Sequence, residues 1–164
     1  MSHPRFDRRA ILGLLAWFAL VAAAAALGNY FTMPEINGWY RTLQKPPFNP
    51  PDWIFGPVWT TLYALMAIGA WLVWRPEGFR GAAFPLAVFL FQLGLNVLWS
   101  ILFFGQHALG AALVDIALLW LAIAALIGLF WRRHRLAAAL QVPYLAWVSF
   151  AALLNYEIWR LNGQ

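Results

Sequence analysis

Five long apolar stretches, each close to the thickness of a bilayer when coiled, constrain this chain more than anything else in its sequence. A hydrocarbon core of about 30 Å is crossed by roughly 20 apolar residues in a helix, and the stretches at 10–31, 53–74, 82–104, 108–131 and 136–159 all reach that length. Acids interrupt them only at Asp115 and Glu157. The expected fold is therefore an all-α membrane protein, a single domain spanning 1–164 and built as a bundle of five transmembrane helices. Composition agrees, because 63% hydrophobic against 10% charged residues leaves too little polar side chain to cover a soluble core.

The first stretch also admits a second reading. Arg8 and Arg9 followed by an alanine-rich run resemble a secretory signal peptide, but the apolar run exceeds the usual 7–15 residues of such a segment. It is read here as the first helix. Arg5, Arg8, Arg9, Arg75, Arg80, Arg132, Arg133 and Arg135 fall on one side of the membrane and Arg41, Lys45 and Arg160 on the other. The positive-inside rule, which presupposes insertion into the inner membrane of a bacterial-type cell, then puts the N-terminus in the cytoplasm. The same distribution accounts for the formal charge of +5, so nucleic acid is not an expected partner. With no cysteine, disulfides, thiolate nucleophiles and thiolate-bound metals are excluded.

Short connections after the second, third and fourth helices make successive helices antiparallel neighbours. The segment 33–52 differs: Pro34, Pro46, Pro47, Pro50 and Pro51, with Trp39 and Tyr40, make a stiff, partly apolar loop. Long ordered loops of this kind usually serve function. The alanine run Ala22 to Ala26 allows neighbouring helices to approach closely.

Polar and aromatic residues within the bilayer carry the functional signal, because a polar group in hydrocarbon needs a partner or a ligand. Gln92, Asn96, Trp99 and Ser100 share one face of the third helix, Trp147, Ala151, Leu154 and Asn155 one face of the fifth, and Trp59, Tyr63 and Met66 one face of the second. At 1.5 Å per residue, Trp59, Asn96, Asp115 and Trp147 lie roughly 9–18 Å below the loop-side surface. The stripes converge beneath the proline-rich loop, predicting a ligand cavity with that loop as its lid. Against this stands the plainer reading of tryptophans as interfacial anchors and asparagines as interhelical glue. Anchoring suits Trp53, Trp71, Trp74, Trp131 and Trp159 near the helix ends, whereas Trp59 and Trp147 are too deep for it.

Asp115, without an obvious basic partner, is read as a structural hydrogen-bonding residue, and Glu157 with Arg160 as an exposed helical pair. His3 and His134 fall in one set of loops and His107 at the opposite interface, which leaves no imidazole deep in the bundle for a metal or haem. No metal or obligatory cofactor is expected. Neither a phosphate loop nor a Ser-His-Asp set is present in the sequence.

Three blocks carry a family resemblance. The first is Trp39-Tyr40-x-x-Leu43-x-Lys45-Pro46-Pro47-x-Asn49-Pro50-Pro51-x-Trp53-x-Phe55-Gly56-Pro57-Val58-Trp59-Thr60, with Leu62-Tyr63-x-Leu65-Met66. The second is Gln92-Leu93-x-Leu95-Asn96-x-x-Trp99 with Phe103-Phe104-Gly105, and the third Pro143-Tyr144-Leu145-Ala146-Trp147-x-x-Phe150-Ala151 with Leu154-Asn155-Tyr156 and Trp159-Arg160. In order and spacing these resemble the tryptophan-rich sensory protein family, also called the translocator protein or peripheral benzodiazepine receptor family. The resemblance implies a five-helix bundle, often dimeric, that binds porphyrins and, in animal members, cholesterol and benzodiazepine-type compounds. Its bacterial members are associated with regulation of tetrapyrrole metabolism, proposed tetrapyrrole transport and light-dependent breakdown of protoporphyrin IX.

Carried over residue by residue, the resemblance implies that Trp59 and Trp147 contact the porphyrin and are the candidates for any part in its breakdown. Trp39 would be the loop tryptophan. Phe55, Asn96, Ala151 and Leu154 would line the pocket beside Tyr63 and Trp99, which helix-face spacing already places there, and Ala111, Val114 and Leu118 would supply the fourth helix's face. A loose sterol-recognition pattern maps onto Leu154, Tyr156 and Arg160 but is too unspecific to carry sterol binding by itself; sterol-like lipids join tetrapyrroles as partners only through the family resemblance. Ala87 and Phe91 replace the close-packing glycines of animal relatives, although Ala83 and Ala87 keep a small-xxx-small pair for a homodimer. The expected function is a membrane receptor or sensor for tetrapyrroles. Transport and photo-oxidative degradation are the alternatives; an odd helix count without an inverted repeat speaks against transport.

Overall fold

In hydrocarbon there is no water to satisfy the backbone, so apolar segments close their hydrogen bonds within helices. The computed structural model describes residues 7–163, leaving His3 and Arg5 outside. The helices are α1 (Arg8–Ile36), a single turn α2 (Trp39–Thr42), α3 (Asp52–Trp74), α4 (Gly78–Ser100) continued by a π-helical turn (Ile101–Gly105), α5 (Leu109–Trp131), a short α6 (Arg135–Ala139) and α7 (Val142–Asn162). Five spans are long and apolar enough to cross a membrane, with α4 plus the π turn forming one and α6 plus α7 another. The protein is a multi-pass, five-helix membrane bundle, and the seven arginines at 8, 9, 75, 80, 132, 133 and 135 mark one end of it.

Helix ends follow local chemistry. Asp7 caps α1 by accepting from the Arg9 amide at 3.1 Å. Pro34 sits in the last turns of α1 without ending it, so the helix runs past Phe31 to Ile36 and the loop is shorter than 33–52. Pro85 lacks the N–H that would reach back to Gly81, and α4 kinks nearby at Ala82 (φ −121°, ψ 24°). The His134 ring accepts from the Ala137 amide at 3.3 Å and starts α6, while Gly163 ends α7 in the left-handed conformation.

Two glycines set the helix spacing. A side chain at Gly13 would overlap the Trp74 ring, so α1 and α3 touch closely there, and the Trp71 indole donates to the Ala10 carbonyl at 2.8 Å. A side chain at Gly69 would collide with Gln141 and with the Ala137 carbonyl, so α3 meets α6 and the start of α7 at the arginine-rich end. Towards the loop face α3 and α7 diverge, and a cavity fills the wedge between them. Below it the core is packed by Met66, Phe89, Leu126 and Phe130, all fully buried. Ala83 and Ala87 face outward on α4.

A membrane-embedded aromatic cavity

The wedge encloses about 730 Å³ and is bounded by all five spans and the loop-side turn α2. That is within the roughly 300–1,000 Å³ of ordinary small-molecule sites. Its walls are largely aromatic. Phe55, Trp59 and Tyr63 come from α3, Trp99 from α4, Phe103 and Phe104 from the π turn, and Trp147 from α7, with Ala151 and Leu154 one and two turns further along. The Trp59 ring lies 5.4 Å from Tyr63 and 6.3 Å from Tyr144, and Trp147 packs edge-on against Phe55 at 5.8 Å. α1 supplies the remaining wall, with small residues such as Ala25 and Gly28 in its middle and the larger Phe18 and Met33 towards either end.

Behind the aromatic lining runs a chain of side-chain hydrogen bonds. Tyr63 donates to Asn96 Oδ1 at 2.7 Å, Asn96 Nδ2 donates to the Tyr144 hydroxyl at 3.0 Å, and Tyr144 donates to Gln92 Oε1 at 2.9 Å. Trp99 Nε1 donates to Asn155 Oδ1 at 3.0 Å, and Asn155 in turn donates to the Leu109 carbonyl at 3.0 Å. Asn96 and Asn155 therefore tie α3, α4, α5 and α7 together, as the glue reading expects. Asn96 borders the cavity with both ends of its amide already engaged.

The loop is tied to the bundle through Gln44 and Trp39 and braced within itself by Tyr40. Gln44 exchanges two hydrogen bonds with Asn162, at 3.0 and 2.9 Å, and Tyr40 donates to Asn49 at 3.1 Å. Burial, with the nearby Asp52 charge, pushes the Tyr40 hydroxyl up to about 12. Trp39 stacks on His107 with ring centres 3.9 Å apart, and His107 Nε2 sits 3.1 Å from Glu35. His107 adopts a positive φ of 54°, a conformation uncommon outside glycine.

Several expected residues are placed otherwise. Trp39 is not on the cavity wall; it packs against Phe103 and His107, and the adjacent Tyr40 borders the cavity instead. Ala111, Val114 and Leu118 point outward from α5, Val114 being 64% and Leu118 49% exposed, because that helix turns Ile116 and Leu119 to the cavity. Leu154 faces inward while Tyr156 is exposed and Arg160 pairs with Glu157, so the three members of the sterol pattern do not share a surface. Trp71 and Trp74 pack on α1 in addition to lying near a helix end, and Trp53, though 73% exposed, edges the cavity mouth. Asp115 is buried with neither oxygen hydrogen-bonded among the described residues, so its expected structural bond is not made. Its helix neighbours Ala112, Ile116 and Leu119 are apolar, and the Tyr144 hydroxyl is already taken.

Sequence reasoning missed the α1 wall, Phe103 and Phe104. Gly28, Asn29 and Thr32, small and polar residues just after the alanine run, were an available signal for the first. The π turn, closed by the Gln106 amide donating to the Ile101 carbonyl at 2.8 Å, turns both phenylalanines inward, and no residue pattern announces it.

The model of the TspO/MBR family matches residues 17–160. The chain belongs to that family. It is 45% identical over 113 residues to the tryptophan-rich protein TspO of Archaeoglobus fulgidus, covering 69% of this chain and 73% of that one. It is 44% identical to the translocator protein of Homo sapiens over 83% of this chain and 82% of the relative. With the tryptophan-rich sensory protein of Cereibacter sphaeroides the identity is 39% over 90% of each. The matched stretch reaches into all five spans and includes all of the cavity's aromatic wall.

Proposed function

We propose that this member of the TspO/MBR family is a membrane receptor that binds tetrapyrroles, protoporphyrin IX above all, and signals their level to tetrapyrrole metabolism. The observation that carries the proposal is the cavity itself, with Trp59 and Trp147 on opposite helices and phenylalanine and tyrosine rings between them. Flat aromatic ligands gain dispersion and stacking against such rings, and each aromatic pair contributes about 0.5–1.5 kcal/mol beyond area burial. The engaged amides of Asn96 and Asn155 keep the wall rigid, so little ordering opposes binding. Relatives named sensory and translocator proteins support a sensing or translocating role. The arginine-rich end faces the cytoplasm by the positive-inside rule.

Protoporphyrin IX titrated into the detergent-solubilised protein should quench tryptophan fluorescence saturably. Trp59→Leu and Trp147→Leu should each weaken binding at least about fivefold, roughly 1 kcal/mol. Unchanged affinity in both folded variants would remove the cavity from the proposal. The ring series Tyr63–Trp59–Tyr144 favours a second reading, in which illuminated porphyrin is oxidised by oxygen with the tryptophans as electron partners. Loss of the porphyrin absorption band under light, at the same rate in both leucine variants, would dismiss it.

A further inference from the structure

Outside the cavity, a second concavity opens on the lipid-facing surface between α4 and α5 near the arginine-rich end. It encloses about 330 Å³ and is lined by Phe84 and Val88 on α4 and by Ala125, Gly128, Leu129 and Arg132 on α5. Gly128 and Ala125 form its floor by having almost no side chain, and a Cβ at Gly128 would meet nothing within 4 Å. From Ala125 to Arg132 the groove runs about 10 Å along the helix axis at 1.5 Å per residue. Its apolar part lies within a membrane span and its charged end at that span's terminus. An acyl chain is the solvent that reaches such a surface.

The arginines around it are not equivalent. Arg133 lies 3.3 Å from Glu77, Arg135 rests over the Trp131 ring, Arg75 over Trp71 and Arg9 over Trp74. Arg132 forms no ion pair among the described residues and stands at the end of the apolar groove. A guanidinium in that position suits the bidentate geometry of a phosphate, and basic sites between helices at a membrane face are characteristic headgroup sites. The geometry points to a binding site for an anionic phospholipid, with one acyl chain in the groove over Gly128 and the phosphate on Arg132.

The test uses the full chain in detergent with short-chain phosphatidylglycerol as probe and melting followed by tryptophan fluorescence. Phosphatidylglycerol should raise the melting temperature saturably, by about 3–10 °C at 10–100 times its Kd. Phosphatidylcholine should give a much smaller rise, and glycerol phosphate, which has no chain, none. Arg132→Gln should weaken phosphatidylglycerol at least about tenfold, as expected for a charged hydrogen bond, whereas Arg133→Gln should not. Gly128→Phe, which fills the groove without a backbone clash, should abolish the effect; Ala125→Leu serves the same purpose if that variant misfolds. An undiminished lipid effect in the groove-filling variant overturns the site. So does an equal loss in Arg132→Gln and Arg133→Gln, which would mean diffuse surface charge. A change of oligomeric size in Gly128→Phe with the lipid effect intact would give the groove to a second copy of the chain, and also overturns it.

Discussion

Replacing Tyr144 with phenylalanine removes a single oxygen from the middle of the network behind the cavity. That oxygen accepts from Asn96 at 3.0 Å and donates to Gln92 at 2.9 Å, and the ring that packs beside Trp59 stays in place. Both partners are buried. In a soluble core, stranding a buried polar group costs about 1–3 kcal/mol. Between membrane helices, pairs average about 0.6 kcal/mol with a maximum near 1.7, because helices separated in lipid also find partners. The membrane figure is the relevant one, since unfolding here leaves the helices in detergent or lipid. Two lost bonds then amount to about 1–3 kcal/mol, or a fall in melting temperature of about 2–12 °C for a chain of this size. Tyr63→Phe loses one bond to the same Asn96 and should cost about half as much. As both tyrosines meet at Asn96, the double variant should fall short of the sum of the singles. Tryptophan-fluorescence melting and unfolding by titrated denaturing detergent measure all three. A Tyr144→Phe protein that melts with the wild type, or above Tyr63→Phe, would refute the reasoning.

Three further predictions concern the frame and the lid. Gly13→Ala should destabilise the bundle by about 1–3 kcal/mol through overlap with Trp74, whereas Gly128→Ala, in open space, should stabilise its helix by about 0.5–1 kcal/mol; thermal melts that rank them the other way would contradict the packing account. His107→Ala removes the stacking partner of Trp39 and the contact to Glu35, so amide exchange should speed up in the loop 43–51 and not in α5. For Tyr40, the ordinary value of 10.0 is raised to about 12, so the folded protein disfavours its charged form. Stability should be unaffected by this residue below about pH 10 and decline as pH rises towards 12; Tyr40→Phe should flatten that decline in an alkaline melting series.

The fold was written in the sequence because hydrocarbon leaves a chain so little choice. Each stretch long enough to cross the bilayer must satisfy its own backbone, so length and hydropathy alone determine five helices, and short connections determine their antiparallel order. The depth of Trp59 and Trp147 and the stripes around Asn96 and Leu154 were readable for a related reason: a fixed rise and turn per residue places side chains on a face and at a level. What one helix turns towards another is different, because it depends on rotation and divergence set by contacts far apart in sequence. Gly69 under Gln141 closes α3 against α6 and lets α3 and α7 part above, which makes the cavity. The π turn swings Phe103 and Phe104 into that space, and the rotation of α5 presents Ile116 and Leu119 in place of Val114 and Leu118. Lipid facing and cavity facing are equally apolar here, so hydropathy could not tell them apart, and only packing decided.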